Sequence, residues 1–232
     1  MPTLTARSIV NKAKIIVQDN TGVRYPDSEF LGWCNQAQRD VVAVKPDAYV
    51  KNVPVQLVAG TKQSLPADGT VLVDVKRNMG ADGTTAGKTI RMVPQGVLDA
   101  LNPDWHTTAA SATVLHYVFD KRDPKHYYVY PPQPATGMGY VEIIHSATPT
   151  DCTLAEFDGV STGEVDSVIA LDDAYESPLL DLMLYRAYSK DSKYAGNAGR
   201  AAAHRAAALE ALGVKEAAET ATEPVDVTSQ AG

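Results

Sequence analysis

Residues 27–58 read DSEFLGWCNQAQRDVVAVKPDAYVKNVPVQLV, and the spacing of the apolar positions changes within this stretch. Up to Val44, the residues Phe30, Cys34, Ala37 and Val41 fall three and four apart, which places them on one face of a helix. Asp27, after Tyr25-Pro26, is the expected N-cap, and Pro46 disfavours helix at Lys45. From Lys51 to Val58 the run is short and rich in valine, as a strand is. Cys34 on the apolar face reads most simply as a small core residue. The chain therefore passes from helix to strand around Pro46, and the expected fold class is α+β.

Working outward, residues 5–19 predict a helix capped by Thr5, with Ala6, Ile9, Ala13 and Ile16 at helical spacing and Gly22 as its stop. After Val58, the runs Val71–Asn78, Lys88–Val93, Ala112–Asp120, His126–Tyr130 and Tyr140–Ser146 read as strands between turns such as Pro66-Ala67-Asp68-Gly69 and Asp82-Gly83. Alternation would put Val71, Val73 and Val75 on one face and Asp74 on the other. Short strands at this density predict a compact antiparallel β sandwich or barrel. Residues 78–87 (NMGADGTTAG) are small and polar, so they read as a mobile hairpin tip or arm. Gln95–Trp105 reads as a helical turn ended by Asn102-Pro103.

Beyond Pro149 comes an acidic linker, then a helix over Ala174–Tyr194 capped by Asp172 or Asp173. Its broad stripe carries Tyr175, Leu179, Leu182, Met183, Arg186 and Ala187. Gly196-Asn197 breaks it, and Ala198–Leu212 predicts an alanine-rich helix closed by Gly213. The expected organisation is N-terminal helices over residues 1–50, a β domain over 51–148 and a linker with C-terminal helices over 149–213. Residues 214–232 would be a flexible tail with at most a short helix before Pro224. Helices from both ends would complete one bundle, into which the β domain is inserted.

At 232 residues, 44% hydrophobic and 21% charged, the chain is long enough to bury a core without disulfides or metals. Cys34 and Cys152 lie far apart and match no zinc or CxxC spacing, so a reducing compartment fits best. No apolar run approaches the ~20 residues of a membrane span. The N-terminus also lacks the apolar core of a signal peptide, so the expectation is a soluble protein made in the cytosol. The net charge is −7. Thr150–Glu176 holds eight acids and no Lys or Arg, while residues 186–205 hold five bases against Asp191. This is the pattern either of two solvated faces or of complementary patches on neighbouring copies. The candidate subunit-interface residues are Asp166, Asp172, Asp173, Arg186, Lys190, Lys193, Arg200 and Arg205. Tight DNA binding is disfavoured, because phosphate neutralisation needs the opposite sign.

Chemistry is hard to find in the sequence. His106, His116, His126, His145 and His204 show no metal-ligand spacing, and no P-loop, GxGxxG or GxSxG is present. Asp120 and Asp123 flank a charged turn, and no base or nucleophile accompanies them in a recognisable pattern. No catalytic residue, metal or cofactor is assigned. Tyr117, Phe119, Tyr127, Tyr128 and Tyr130 form an aromatic run that fits either a core or a protein contact, with Tyr128 and Tyr130 as candidate partner contacts. A carbohydrate-binding β module of a wall-degrading virion component, stacking sugars on exposed Tyr and Trp105, is the alternative reading. A carboxylate hydrolase is a third.

The order of landmarks carries a resemblance. Trp33-Cys-Asn-Gln-Ala-Gln-Arg39 is followed by Lys45-Pro46, Leu57-Val-Ala-Gly-Thr-Lys-Gln-Ser-Leu-Pro66, Val97-Leu-Asp99 and Pro103-Asp-Trp105. Tyr117-Val-Phe-Asp120, Tyr127-Tyr-Val-Tyr-Pro-Pro132 and Leu184-Tyr-Arg-Ala187 complete the series. Over most of residues 1–213 the chain resembles the head-to-tail adaptor (connector) proteins of tailed bacteriophages. The resemblance implies a structural virion protein in the neck, forming a dodecameric ring beneath the portal protein and around the DNA channel. It also implies a downstream tail or nozzle protein as partner, DNA passing without tight binding, no cofactor and no enzymatic activity. Among such proteins the C-terminal segment commonly reaches the portal. Asn78, Asp82 and Thr84 of the arm are therefore candidate partner contacts, as are Lys215, Glu216, Glu219, Val225 and Val227 of the tail.

Elemental analysis of the purified protein is expected to find no stoichiometric zinc. Stoichiometric metal, or a muralytic activity lost in Asp120→Asn, would contradict a purely structural role.

Overall fold

A computed structural model describes residues 3–153 and 167–222, with side chains described as far as Gly213. Among these residues the chain is α+β, with helices α1 (Ala6–Val17), α2 (Asp27–Val44), α3 (Gln95–Leu101), α4 (Glu176–Lys190) and α5 (Asn197–Thr222). The strands are β1 (Val50–Gln56), β2 (Gly60–Ser64), β3 (Gly69–Met79), β4 (Ala86–Thr89), β5 (Arg91–Met92), β6 (His116–Phe119), β7 (His126–Gln133) and β8 (Tyr140–Ala147). The chain divides into two compact units: a helical one from residues 1–48 and 149–232, and a β one from 49–148.

In the helical unit, Thr5 caps α1 by accepting the Ser8 N–H at 3.2 Å, and Ala6, Ile9, Val10 and Ala13 are buried. Ile16, expected on that face, is exposed. The helix also ends earlier than Gly22, at Gln18 in the left-handed region (φ 59). Asp19 is the reason: its carboxylate accepts the N–H groups of Val23, Arg24 and Tyr25 at 3.0, 2.8 and 2.7 Å, which closes the loop immediately after α1. Along α2, Phe30, Cys34, Ala37 and Val41 are all buried, as their spacing predicts. Asp27 is not its cap. Pro26 takes that position, and the Asp27 carboxylate receives Lys14 Nζ at 2.5 Å.

The returning chain is held by two amides of α2. Asn35 accepts the Cys152 N–H and donates to the Cys152 carbonyl, both at 2.9 Å, while buried Gln38 accepts the Ala170 N–H at 3.0 Å. Arg39 adds an ion pair with Asp151. Residues 167–173 then strap the N-terminus. Ala6 N–H donates to Ser167 O and Ile169 N–H to Leu4 O, each at 2.9 Å, and Asp173 accepts the Thr3 and Leu4 N–H groups.

A 3-10 turn over Asp173–Tyr175, whose Ala174 N–H is capped by the Asp172 carboxylate, leads into α4. This helix buries Leu179, Leu182, Met183, Leu184 and Ala187 against α1, α2 and α5. It stops at Lys190, short of the expected Tyr194. The last helix overruns its expected end, continuing through Gly213 to Thr222. A glycine inside a helix costs only ~1 kcal/mol relative to alanine, too little to stop one flanked by strong helix formers. The C-terminal tail residues 223–232 and the linker residues 154–166 lie outside the described residues.

The β unit consists of two four-stranded sheets, ordered β1-β8-β3-β4 and β2-β7-β6-β5, and not a closed barrel. Leu72, Val75, Val141 and Ile143 of the first share one buried core with Tyr117, Tyr127 and Val129 of the second. The run Lys88–Val93, expected as one strand, divides between the sheets: β4 pairs with β3, whereas β5 runs parallel to β6. The strand β2 was not anticipated, because Gly60-Thr-Lys-Gln-Ser64 has no β-branched alternation. Strand β3 departs most from simple alternation. Its pairing with β8 slips between Gly69/Val71, Leu72/Asp74 and Val75/Arg77, so Leu72, Val75 and Asn78 are buried at intervals of three while Val73 is exposed. Each slip admits an extra residue and reverses the inside–outside alternation.

Residues 78–87 form a hairpin between β3 and β4, one of the two forms expected for this stretch. Gly80 N–H donates to Thr85 O at 2.6 Å, and Thr84 N–H to the Asp82 carboxylate at 3.0 Å. Gly83 adopts φ +75, where a Cβ would also sit 2.9 Å from the Tyr140 ring. At the base, Asn78 is 6% exposed and joins three segments: its amide donates to Lys88 O (3.0 Å) and Val114 O (2.8 Å), and accepts the Val114 N–H (2.7 Å).

Asn78→Ala would leave those backbone groups buried and unpaired, at about 1–3 kcal/mol for each one that finds no water. Urea unfolding of the variant should show a loss of about 2–4 kcal/mol; a loss below about 0.5 kcal/mol would mean the amide is not structural.

Candidate functional site

The titratable groups are occupied with structural tasks. His106 shares a 2.8 Å hydrogen bond with Thr61 Oγ1, His126 one of 2.7 Å with Asp123, and His204 one of 2.9 Å with Asp181. The His116 ring stacks on Tyr130 at 6.3 Å between centroids. No three metal-ligating side chains come together among the described residues. Burial, reinforced by neighbouring Cys152, pushes the Cys34 thiol up to about 12, which suppresses the thiolate. Arg122 hydrogen bonds bring Asp120 down to about 2, so this carboxylate is ionised and committed to its own turn. Among the described residues no helix is long and apolar enough to cross a membrane.

The aromatic run resolves into two faces. Tyr117 and Tyr127 are buried in the shared core, and the Tyr117 hydroxyl donates to Asp74 at 2.8 Å. Tyr128 and Tyr130 point the other way and pack with Val118, Leu98 and Trp105 beneath α3. Trp105 is 1% exposed, stacks on His106 at 3.7 Å and donates its indole N–H to Asp99 at 2.9 Å. That burial removes the sugar-stacking role considered for Trp105, and with it the main support for a carbohydrate-binding module.

Of the expected interface charges, several are engaged inside the chain. Arg186 pairs with Asp40 at 2.5 Å and Lys190 with Glu29 at 2.6 Å. Asp172 caps the 3-10 turn and Asp173 holds the N-terminus, its pKa lowered by Thr3. Arg200 lies over the Tyr188 ring at 5.7 Å and Arg205 over Tyr185 at 5.6 Å, while Lys193 is exposed. Among the described residues these three have no carboxylate partner. Asp82 and Thr84 sit on the exposed hairpin tip, and Asn78 is buried beneath it. Lys215, Glu216 and Glu219 fall on the last turns of α5, and Asp166, Val225 and Val227 lie outside the described residues.

One surface of the helical unit is concave. Three shallow hollows meet at Tyr185, where α4 is flanked by α2 and α5. Trp33, Asp40 and Val44 contribute from α2, Leu182 and Arg186 from α4, and Arg205 and Leu209 from α5; the central hollow measures about 330 Å³. Val44 and Leu209 are exposed there. Nothing in the sequence marked this surface, because it depends on which helices become neighbours.

The sequence matches the family described as SU10 adaptor protein over residues 4–228, nearly its whole length and both units. The chain belongs to that family of bacteriophage head-to-tail adaptors. No curated protein matches it. The adaptor is a structural virion component, in agreement with the reading of its landmarks, and those landmarks now have physical roles. In Trp33-Cys-Asn-Gln-Ala-Gln-Arg39, Cys34 is core, Asn35 and Gln38 catch the returning chain, and Arg39 pairs with Asp151.

The adaptor's β unit carries one buried histidine with a pH consequence. His145 is 1% exposed, neither ring nitrogen has a hydrogen-bond partner, and Asp68, which binds Lys51, lies 3.8 Å away. Burial lowers its pKa, so the folded state holds it neutral while the unfolded chain protonates it at the ordinary value. The stability this supplies is complete above the unfolded pKa of roughly 6.5 and is lost as pH falls through the depressed folded pKa. Between pH 8 and pH 5 the adaptor should lose more unfolding free energy than its His145→Gln variant. Equal pH slopes for the two proteins would refute the assignment.

Proposed function

We propose that the adaptor forms a dodecameric ring beneath the portal protein, encircles the DNA channel and joins capsid to tail. The observation that carries this reading is the family match across residues 4–228, which spans both units. Physical chemistry supports it. A net charge of −7 weakens contact with DNA phosphates, as suits a passage that must release its cargo. A closed ring also needs two different, complementary faces on each copy. Helices from both ends of the chain make one bundle in this reading, the β domain is carried as an insertion, and the C-terminal segment reaches the portal. A tail or nozzle protein docks on the opposite side. Assembly takes place in the host cytoplasm.

Negative-stain electron micrographs of the purified adaptor, alone and mixed with its phage's portal protein, should show rings with a central channel. Truncation after Thr222 should leave the melting temperature within about 2 °C of the full chain, since a short terminal segment contributes little to a domain of this size, while weakening portal capture. Monomers under both conditions would overturn the proposal.

A further inference from the structure

Polar bonds cross the β unit from one sheet to the other. Leu72 N–H donates to Pro124 O at 3.1 Å, the Tyr117 hydroxyl to Asp74 at 2.8 Å, and the Asn78 amide to Val114 O at 2.8 Å. Their partners descend from 124 to 114 as β3 ascends from 72 to 78, so β3 faces β6 and runs opposite to it. The sheet orders β1-β8-β3-β4 and β2-β7-β6-β5 then set β8 over β7.

That second pair of strands carries polar atoms that nothing satisfies. Val141, Ile143 and His145 alternate along β8, and the first two lie in the core shared by the sheets, so His145 points inward. Tyr127 enters the same core from β7. It is fully buried and His145 is 1% exposed, yet the Tyr127 hydroxyl and both His145 ring nitrogens have no hydrogen-bond partner among the described residues. The two side chains also stand at one level. His145 pairs with Leu72, whose N–H reaches Pro124 just beyond β6, and Tyr127 pairs with Phe119, the last residue of β6.

The chemistry of the two groups narrows what can join them. The Cδ2–Nε2 edge of His145 is turned to the 66–69 turn: a Cβ on Gly69 would lie 3.2 Å from Cδ2, and Asp68 lies 3.8 Å from Nε2. The carboxylate favours the ring proton on Nε2, which leaves Nδ1, on the other side of the ring, as an acceptor. Burial lowers the His145 pKa and raises that of Tyr127, so both groups are neutral and the phenol keeps its proton. One imidazole and one neutral phenol are too few ligands for a metal, and no metal-ligating cluster forms among the described residues. What fits is a small neutral molecule that accepts one hydrogen bond and donates another, and buried polar groups are routinely satisfied by water in this way.

We infer that one buried water molecule bridges Tyr127 Oη and His145 Nδ1, accepting from the phenol and donating to the imidazole. It joins β7 to β8 as the Tyr117–Asp74 bond joins β6 to β3. The site is internal to the β unit and does not depend on how the adaptor assembles.

A high-resolution crystal structure of the full chain should show one oxygen within roughly 2.6–3.2 Å of both atoms. A direct bond between Tyr127 and His145, or no oxygen between them, would overturn the bridge. In solution, Tyr127→Phe removes only the hydroxyl. The variant should raise the unfolding equilibrium constant roughly fivefold or more in urea titrations and move the nitrogen-15 resonance of His145 Nδ1. A variant at least as stable as the parent, with the His145 resonances unmoved, is the behaviour of an unpaired hydroxyl and would overturn the bridge equally. Should Tyr127→Phe fail to fold, the crystal structure of the unmodified chain decides alone.

Discussion

Everything else in this adaptor depends on how one helix face recaptures the chain. The backbone leaves the helical unit at Ala48 and returns at Pro149, after a complete β unit has been built in between. Closing a loop that long has an entropic cost that grows slowly with length, so a few well-placed bonds suffice to offset it. Asn35 provides a paired amide contact to Cys152, and Gln38, fully buried, takes the Ala170 N–H. Without its partner Gln38 would be a desolvated polar group in a core, and the half-buried Asn35 amide would lose both its bonds; these are satisfied when the return segment lies in the correct register. The strap of residues 167–173 across Thr3–Ala6 follows from that register, and α4 is then delivered to the helices it packs against.

The sequence was most legible where burial follows a single regular period. The face Phe30–Cys34–Ala37–Val41, the Thr5 cap and the apolar stripe of α4 need only helix geometry and one apolar side. It was least legible where a bulge or a local bond overrides periodicity. The three register slips of β3 move its buried positions to every third residue, and nothing in Val71-Leu-Val-Asp-Val75 announces them. Asn78 read as part of a polar arm because an asparagine that joins three segments looks, in one dimension, like an asparagine in a loop. Gly213 misled through the opposite error: a residue that commonly ends helices is only weakly unfavourable inside one.

The candidate assembly surface was partly legible as charge and not at all as shape. The contrast between the acidic stretch and the basic helices is visible in the sequence, but Arg186, Lys190, Asp172 and Asp173 meet their needs within the chain. Solvent-exposed pairs of this kind contribute little to stability individually. Their effect is to neutralise most of the charge around the hollows at Tyr185, leaving Arg205 as the lining cation without a carboxylate partner among the described residues.

The two cysteines bear on the adaptor's passage between environments. A virion component persists outside the cell, where exposed thiols are open to oxidation. Burial pushes the Cys34 thiol up to about 12, so it stays protonated at neutral pH, and the thiolate is the species that oxidants and disulfides attack. Both cysteines are buried and neither forms a disulfide among the described residues. Buried thiols of this kind give an oxidant little to attack, so the helical core keeps the same covalent state in a reducing medium and in an oxidising one.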